Sequence, residues 1–189
     1  MTDLGSSLII CLGANLPSRA GPPAETLRSA SRDISRIGIR VTGVSRFFST
    51  PCFPAGAGPD YVNAALIGRT GLAPEEVLAG LHDIEGRYGR NRKTRWGQRT
   101  LDLDLAAYDT LVRPDLDGWR AWMTLAPKDQ QLAAPDRLIL PHPRMQDRAF
   151  VLVPLCDIAP DWRHPVLGKT AVQMAAELPL ADRAAVVPL

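Results

Sequence analysis

Thr100-Leu101-Asp102-Leu103-Asp104-Leu105 alternates carboxylates with leucines. An extended strand sends every second side chain to the same face. Leu101, Leu103 and Leu105 are therefore expected to enter a core, while Asp102 and Asp104 project together from the other face with Cα atoms ~6.6 Å apart. The pattern predicts a strand over Thr100–Tyr108.

Upstream, the elements fall into a definite order. Ser7–Gly13 (SLIICLG) is a short apolar run ending in glycine, which reads as a buried strand entering a tight loop. Beyond Pro22-Pro23, Leu27, Ala30, Ile34 and Ile37 recur at steps of three and four, so an amphipathic helix should run to Gly38 as its C-cap. Ile39–Thr50, rich in Val, Thr, Ser and Phe, suggests a second strand closed by Pro51. Pro51–Pro59 (PCFPAGAGP) is too broken by proline and glycine for regular structure and reads as a surface loop. Tyr61–Arg69 is a third strand, and Pro74 with Glu75 and Glu76 marks a second helix start, continued by Val77, Leu78, Leu81, Ile84 and Tyr88.

The resulting order is β-α-β-β-α-β. It implies an α+β, ferredoxin-like sandwich: a four-stranded antiparallel sheet with both helices on one face, plus C-terminal additions. Val112–Arg137 has no clear period and reads as an insertion. Phe150–Ile158 and Thr170–Glu177 are expected as short helices on the outside, with no second core, in a single domain over 1–189.

At 189 residues, with 46% apolar and 22% charged residues, the chain has the balance of an ordered globular domain. No apolar run approaches the ~18 residues needed to cross a bilayer, and the start lacks the features of a signal peptide. A cytoplasmic protein is expected, with no membrane partner. Cys11, Cys52 and Cys156 are widely spaced with no C-x-x-C pair, so neither a disulfide framework nor a cysteine zinc site is suggested. Gly168-Lys169-Thr170 imitates the end of a phosphate-binding P-loop, but Arg163 stands where that loop requires glycine.

The net charge of +2 is unevenly spread. Arg87–Arg99 holds six basic residues and no acid, leaving the remainder at −4. A focused basic patch on a mildly acidic body suits a small polyanion better than a nucleic-acid track. Two neighbouring carboxylates repel unless a cation sits between them, and hard oxygen ligands of this kind select magnesium. Alternation of this sort is also the ordinary pattern of a solvated strand face. The basic loop immediately before it makes a composite phosphate site the better reading, with two metal ions on one side and guanidinium groups on the other.

The chain resembles the 6-hydroxymethyl-7,8-dihydropterin pyrophosphokinases nearly end to end. The resemblance rests on Leu12-Gly13-Ala14-Asn15-Leu16, Ser49-Thr50-Pro51, Asp60-Tyr61-Val62-Asn63-Ala64, Gly89-Arg90, Arg92 and Arg95-Trp96-Gly97. It continues through Arg99-Thr100-Leu101-Asp102-Leu103-Asp104 and Leu140-Pro141-His142-Pro143, with Arg148 and Phe150. Ala14 stands where the family usually has serine, and Gln98 where it has proline.

The resemblance implies transfer of diphosphate from ATP to the hydroxymethyl group of the dihydropterin in folate synthesis, leaving AMP, with two Mg2+ ions as cofactors. It implies Asp102 and Asp104 as metal ligands and catalytic residues beside Arg90 and Arg92. The ATP site would comprise Glu85, Arg92, Arg95, Trp96, Arg99, Leu105, His142 and Arg148. The pterin, a flat hydrogen-bonding ring, would lie between Tyr61 and Phe150, with Asn63, Thr50, Pro51 and Phe53 reading its edge. A monomer with no nucleic-acid partner is expected. The alternative of another class is an RNA-binding module of the RRM type, which shares the element order. Against it, Asp102 and Asp104 would repel RNA phosphates, and no segment follows the aromatic signature of such modules.

Overall fold

The computed structural model describes residues 5–52, 56, 58–89, 99–126, 129, 135 and 137–189. The chain begins with strand β1 (Ser6–Ala14) and helix α1 (Pro23–Arg36). Proline at the helix start and Glu25 in its first turn suit the exposed N–H groups there, and Leu27, Ala30 and Ile34 form its buried stripe. Gly38 turns the chain out of the helix with φ +90, a conformation that side chains other than glycine rarely adopt. Strands β2 (Ile39–Val44), β3 (Phe48–Thr50) and β4 (Tyr61–Thr70) follow, then helix α2 (Pro74–Arg87) and strand β5 (Asp102–Tyr108). The remainder holds α3 (Leu116–Thr124), a 3-10 turn (Met145–Asp147), α4 (Ala149–Ile158), α5 (Ala171–Glu177), α6 (Leu180–Ala184) and a last strand, β6 (Val187–Pro188).

The sheet is antiparallel and has six strands, where the sequence suggested four. Its order is β5-β1-β4-β3-β6, with β2 also paired to β4. The expected single strand over Ile39–Thr50 is two strands laid along the same partner, β2 against Leu66–Thr70 and β3 against Tyr61–Asn63. The break falls at Ser45 and has a local cause. The Ser45 hydroxyl accepts from the Ala65 N–H at 2.9 Å and donates to the Arg46 carbonyl at 2.7 Å, giving the backbone an alternative to the ladder. The Arg46 guanidinium and backbone N–H then donate to Asp157 at the end of α4, with contacts of 2.6–3.2 Å.

Both faces of the sheet are covered. Leu8, Ile10, Leu12, Leu66, Leu103 and Leu105 pack against Leu27 and Ile34 of α1 and Leu81 and Ile84 of α2. On the opposite face Ile9, Ala65 and Ala107 pack against Val151, Leu152 and Leu155 of α4 and Met174 of α5. The expectation that the later helices lie outside without a second core is thus corrected. The central strands β1 and β4 are apolar on both faces, and such strands need a layer on each. A bulge sets where the two faces divide on β5. Ile10 pairs with Leu105 but Ile9 pairs with Ala107, so Ala106 is an extra residue whose carbonyl is turned to accept from the His142 N–H at 2.7 Å.

The aperiodic stretch after β5 contains α3, capped by Asp115 through the Gly118 N–H at 2.7 Å. Its Trp119 is fully buried, donates from Nε1 to the Pro141 carbonyl at 2.7 Å and lies 5.4 Å from the ring of His164. Trp162 closes on the same histidine from 5.7 Å. His164 is itself fully buried, and its Nδ1 accepts from the N–H groups of Val166 and Leu167 at 3.2 Å.

Burial pulls the pKa of His164 from 6.5 to about 4, so the folded protein holds it neutral where the unfolded chain would protonate. Stability from this residue is complete above pH 6.5 and is lost as pH falls toward 4, amounting to about 2 kcal/mol between pH 7 and pH 5. His164→Phe should therefore show a smaller loss of urea midpoint over that interval than the parent. Equal losses in the two proteins would remove the assignment. Among the described residues no helix is long and apolar enough to cross a membrane.

Candidate active site

The carboxylates lie on the edge strand of the sheet, on the face opposite the leucines. Asp104 stands across from Cys11 of β1, and Asp102 across from Gly13. Gly13 in turn faces Asn63 of β4, which faces Phe48 of β3. A row of four side-chain positions thus crosses four strands, from the acid at one end to the aromatic ring at the other. The glycine opens it. A Cβ on Gly13 would come to 3.0 Å from the Asn63 Oδ1 and 4.0 Å from the Asp102 Cβ, filling the floor between the acid and the amide.

Edge strands leave alternate N–H groups without a ladder partner. On β5 the Leu103 N–H, midway between the two acids, is taken by the Glu85 Oε1 of α2 at 2.7 Å. Glu85 is 1% exposed and Leu105 4%, so both lie on the helix side of the strand, beneath the carboxylates rather than beside them.

Cations gather around the acids. Arg99 forms an ion pair with Asp102 through its guanidinium; burial works against its charge, but Asp102 and Asp104 outweigh this and raise its pKa. Arg148 is half-buried, and burial lowers its pKa, partly offset by Asp104 and made worse by Arg144. Its guanidinium lies 5.7 Å over the ring of Phe150, which is 41% exposed in the first turn of α4.

His142 enters on the segment held to the Ala106 bulge. Its Nδ1 accepts from the Arg144 N–H at 3.1 Å, leaving the ring proton of the neutral form on Nε2. Burial, reinforced by Arg148 and opposed by Asp102, lowers its pKa from 6.5 to about 3. It is therefore a neutral hydrogen-bonding group at physiological pH. Burial and the charge of Asp104 raise the pKa of Cys11, which keeps it a thiol.

Next to this charged end is a hydrogen-bonding one. The Asn63 Nδ2 donates to the Thr50 Oγ1 at 2.7 Å, and both residues are 7% exposed. Tyr61 is half-buried at the start of β4; burial raises its pKa, with Arg99 opposing and Asp102 assisting. The exposed Pro51 follows Thr50 directly. The structure thus brings Asp102, Asp104, Arg99, His142 and Arg148 to one end of one sheet face, and puts Thr50, Tyr61 and Asn63 on the adjoining strands. Arg90, Arg92, Arg95, Trp96 and Phe53 lie outside the described residues.

Two contributors were beyond sequence reasoning. Cys11 opposite Asp104 becomes apparent only once the register of β1 on β5 is known. Asn15, within the Leu12–Leu16 motif, is a 3% exposed amide at a crossing of three segments.

Among the described residues no group of three or more His, Cys, Asp and Glu side chains is placed to hold a metal. A two-carboxylate site fits magnesium nonetheless, because that ion commonly keeps several waters and takes one or two protein carboxylates plus substrate phosphates. The gap over Gly13 and the surrounding cations are what such a phosphate-bearing ligand requires.

Comparison with known proteins identifies the family. The family described as 7,8-dihydro-6-hydroxymethylpterin-pyrophosphokinase (HPPK) matches residues 9–160. A 2-amino-4-hydroxy-6-hydroxymethyldihydropteridine pyrophosphokinase of Synechocystis is 37% identical over 171 residues, covering 90% of this chain and 75% of the relative. The protein of the same name from Haemophilus influenzae is 37% identical, covering 80% of this chain and 81% of its own length. Among solved structures, Plasmodium falciparum HPPK-DHPS shares the fold with a TM-score of 0.62 at 11% identity, over 91% of this chain and 43% of that one. With a family match across most of its length and relatives that share more than a third of their aligned residues with it, this chain belongs to the 7,8-dihydro-6-hydroxymethylpterin-pyrophosphokinase family.

Proposed function

We propose that Asp102 and Asp104 hold two magnesium ions that carry the phosphates of ATP, and that Thr50, Tyr61 and Asn63 receive the pterin on the adjoining strands. The activity itself follows from the family: the chain is a pyrophosphokinase of folate synthesis, an ATP-dependent diphosphotransferase. Diphosphate passes from ATP to the hydroxymethyl oxygen of 6-hydroxymethyl-7,8-dihydropterin and AMP leaves. The RNA-binding alternative gives way to the family match.

The observation that carries the residue roles is the row from Asp102 across Gly13 to Asn63. It sets a phosphate-binding end and a ring-binding end one strand apart on each side of an open floor. Magnesium bound at the acids supplies charge neutralisation on the phosphate oxygens. The protein's own groups do the rest. Arg99 holds Asp102 in place through their ion pair before substrate arrives, and the charges of Arg148 and Asp104 support one another. Neutral His142 offers an Nε2–H to an acceptor on the nucleotide without bringing another charge. Asn63 supplies a carbonyl to the edge of the pterin while its Nδ2 donates to the Thr50 hydroxyl. Arg90, Arg92, Arg95 and Trp96 complete the nucleotide side, with Glu85 and Leu105 supporting β5 from beneath, and Phe150 and Phe53 the pterin side. A monomeric, cytoplasmic enzyme accords with this reading.

Incubation with ATP, magnesium and 6-hydroxymethyl-7,8-dihydropterin should yield AMP in step with the pterin diphosphate. Formation of ADP instead, or no nucleotide product, would defeat the reaction.

A further inference from the structure

Three segments meet at one buried side chain. Asn15 follows the last residue of β1 and is 3% exposed. Its Oδ1 accepts from the Arg99 backbone N–H at 2.8 Å, and its Nδ2 donates to the Pro59 carbonyl at 3.2 Å. The backbone joins in, since the N–H groups of Asn15 and Leu16 both donate to the Arg99 carbonyl, at 3.0 and 3.2 Å. The amide orientation is fixed by its neighbours, because one partner can only donate and the other only accept.

The two partners belong to different halves of the site. Arg99 opens the approach to β5, and its guanidinium pairs with Asp102. Pro59 ends the loop that leads into β4, two residues before Tyr61 and four before Asn63. We infer that Asn15 is a positioning residue that ties the pterin-side loop to the nucleotide-side strand, so that a ligand held at one end sets the geometry of the other. It touches neither reacting group. It acts by making the place of Pro59 depend on the place of Arg99, and the dependence runs equally in both directions, as binding linkage requires. The inference rests on the substrate sites proposed above.

Asparagine suits this position for a reason that a substitution can isolate. Aspartate has the same shape and still accepts from the Arg99 N–H, but its ionised carboxylate cannot donate to Pro59 and instead sets one oxygen against another. Asn15→Asp therefore cuts one arm and keeps the other, whereas Asn15→Ala removes both.

The measurement is the pterin dissociation constant by calorimetry, with and without a non-hydrolysable ATP analogue plus magnesium, in the parent and both variants. The ratio of the two constants is the coupling, and because it is taken within each protein a general loss of stability does not mimic its loss. In the parent the analogue is expected to tighten pterin binding by ~5–150-fold, the ordinary range for coupled sites. Asn15→Asp and Asn15→Ala should each bring that ratio at least fivefold closer to one, while the analogue alone binds Asn15→Asp within about threefold of the parent. An unchanged ratio in a folded variant of either kind, or a ratio of one in the parent with both ligands bound, overturns the inference. Failure of the parent to bind the pterin or the analogue at all would instead overturn the site assignment.

Discussion

Asp104→Ala is expected to slow AMP formation by at least ~10³-fold, equivalent to about 4 kcal/mol of transition-state stabilisation and in keeping with loss of a charge clamp on phosphate. The fold should not suffer. Asp104 lies on the open end of its sheet face, pointing away from the leucine core, and Asp102 keeps its own partner in Arg99. Removing one of two like charges relieves their mutual repulsion, while Arg148 loses the neighbour that supported its charge. The two effects oppose each other, so the thermal midpoint of the ligand-free variant should stay within a few degrees of the parent. Magnesium-dependent binding of an ATP analogue, measured alongside, should fall with the rate. A variant that retains turnover within about tenfold would refute Asp104 as a metal ligand.

Trp119→Ala should have the largest effect on stability, a loss of about 3–5 kcal/mol and a fall of about 10 °C in the thermal midpoint. The side chain is fully buried, fills the space beside His164 and donates to the Pro141 carbonyl. Truncation leaves a cavity, an unpaired carbonyl and a histidine with one aromatic wall missing. The damage should reach the site, because Pro141 directly precedes His142 and this tie helps hold the segment to the sheet. Trp119→Phe keeps a ring but not the donor and should lose less, about 1–3 kcal/mol. A midpoint shift below two or three degrees for the alanine variant would show that α3 is not part of the cooperative core.

The parts of the fold set by local pattern could be read directly from the residues. The stripe at Leu27, Ala30 and Ile34, the Pro74-Glu75-Glu76 helix start and the alternation through Asp102 and Asp104 each specify an element by its own spacing. What escaped depends on long-range partners. Ser45 interrupts a strand only because Ala65 lies opposite to use its hydroxyl, and β6 is two residues that become a strand by meeting β3. Trp119 and His164 are separated by a long stretch of chain and by nothing a period could reveal, so their tilted ring contact and the helix it anchors were not foreseen. In the site, the residue types of the charged end were recognisable because carboxylates beside cations carry their chemistry with them. The roles of Gly13 and Asn15 are geometric and required the register of β1 against both neighbours.

The position of β5 at the rim of the sheet has one more consequence. A rim strand with free amides invites a second chain to dock along it and begin a growing aggregate. Here Glu85 occupies the amide between the acids, and the charged side chains of Asp102, Asp104 and Arg99 crowd the same place. The groups proposed to serve turnover therefore also blunt this rim against pairing with another chain.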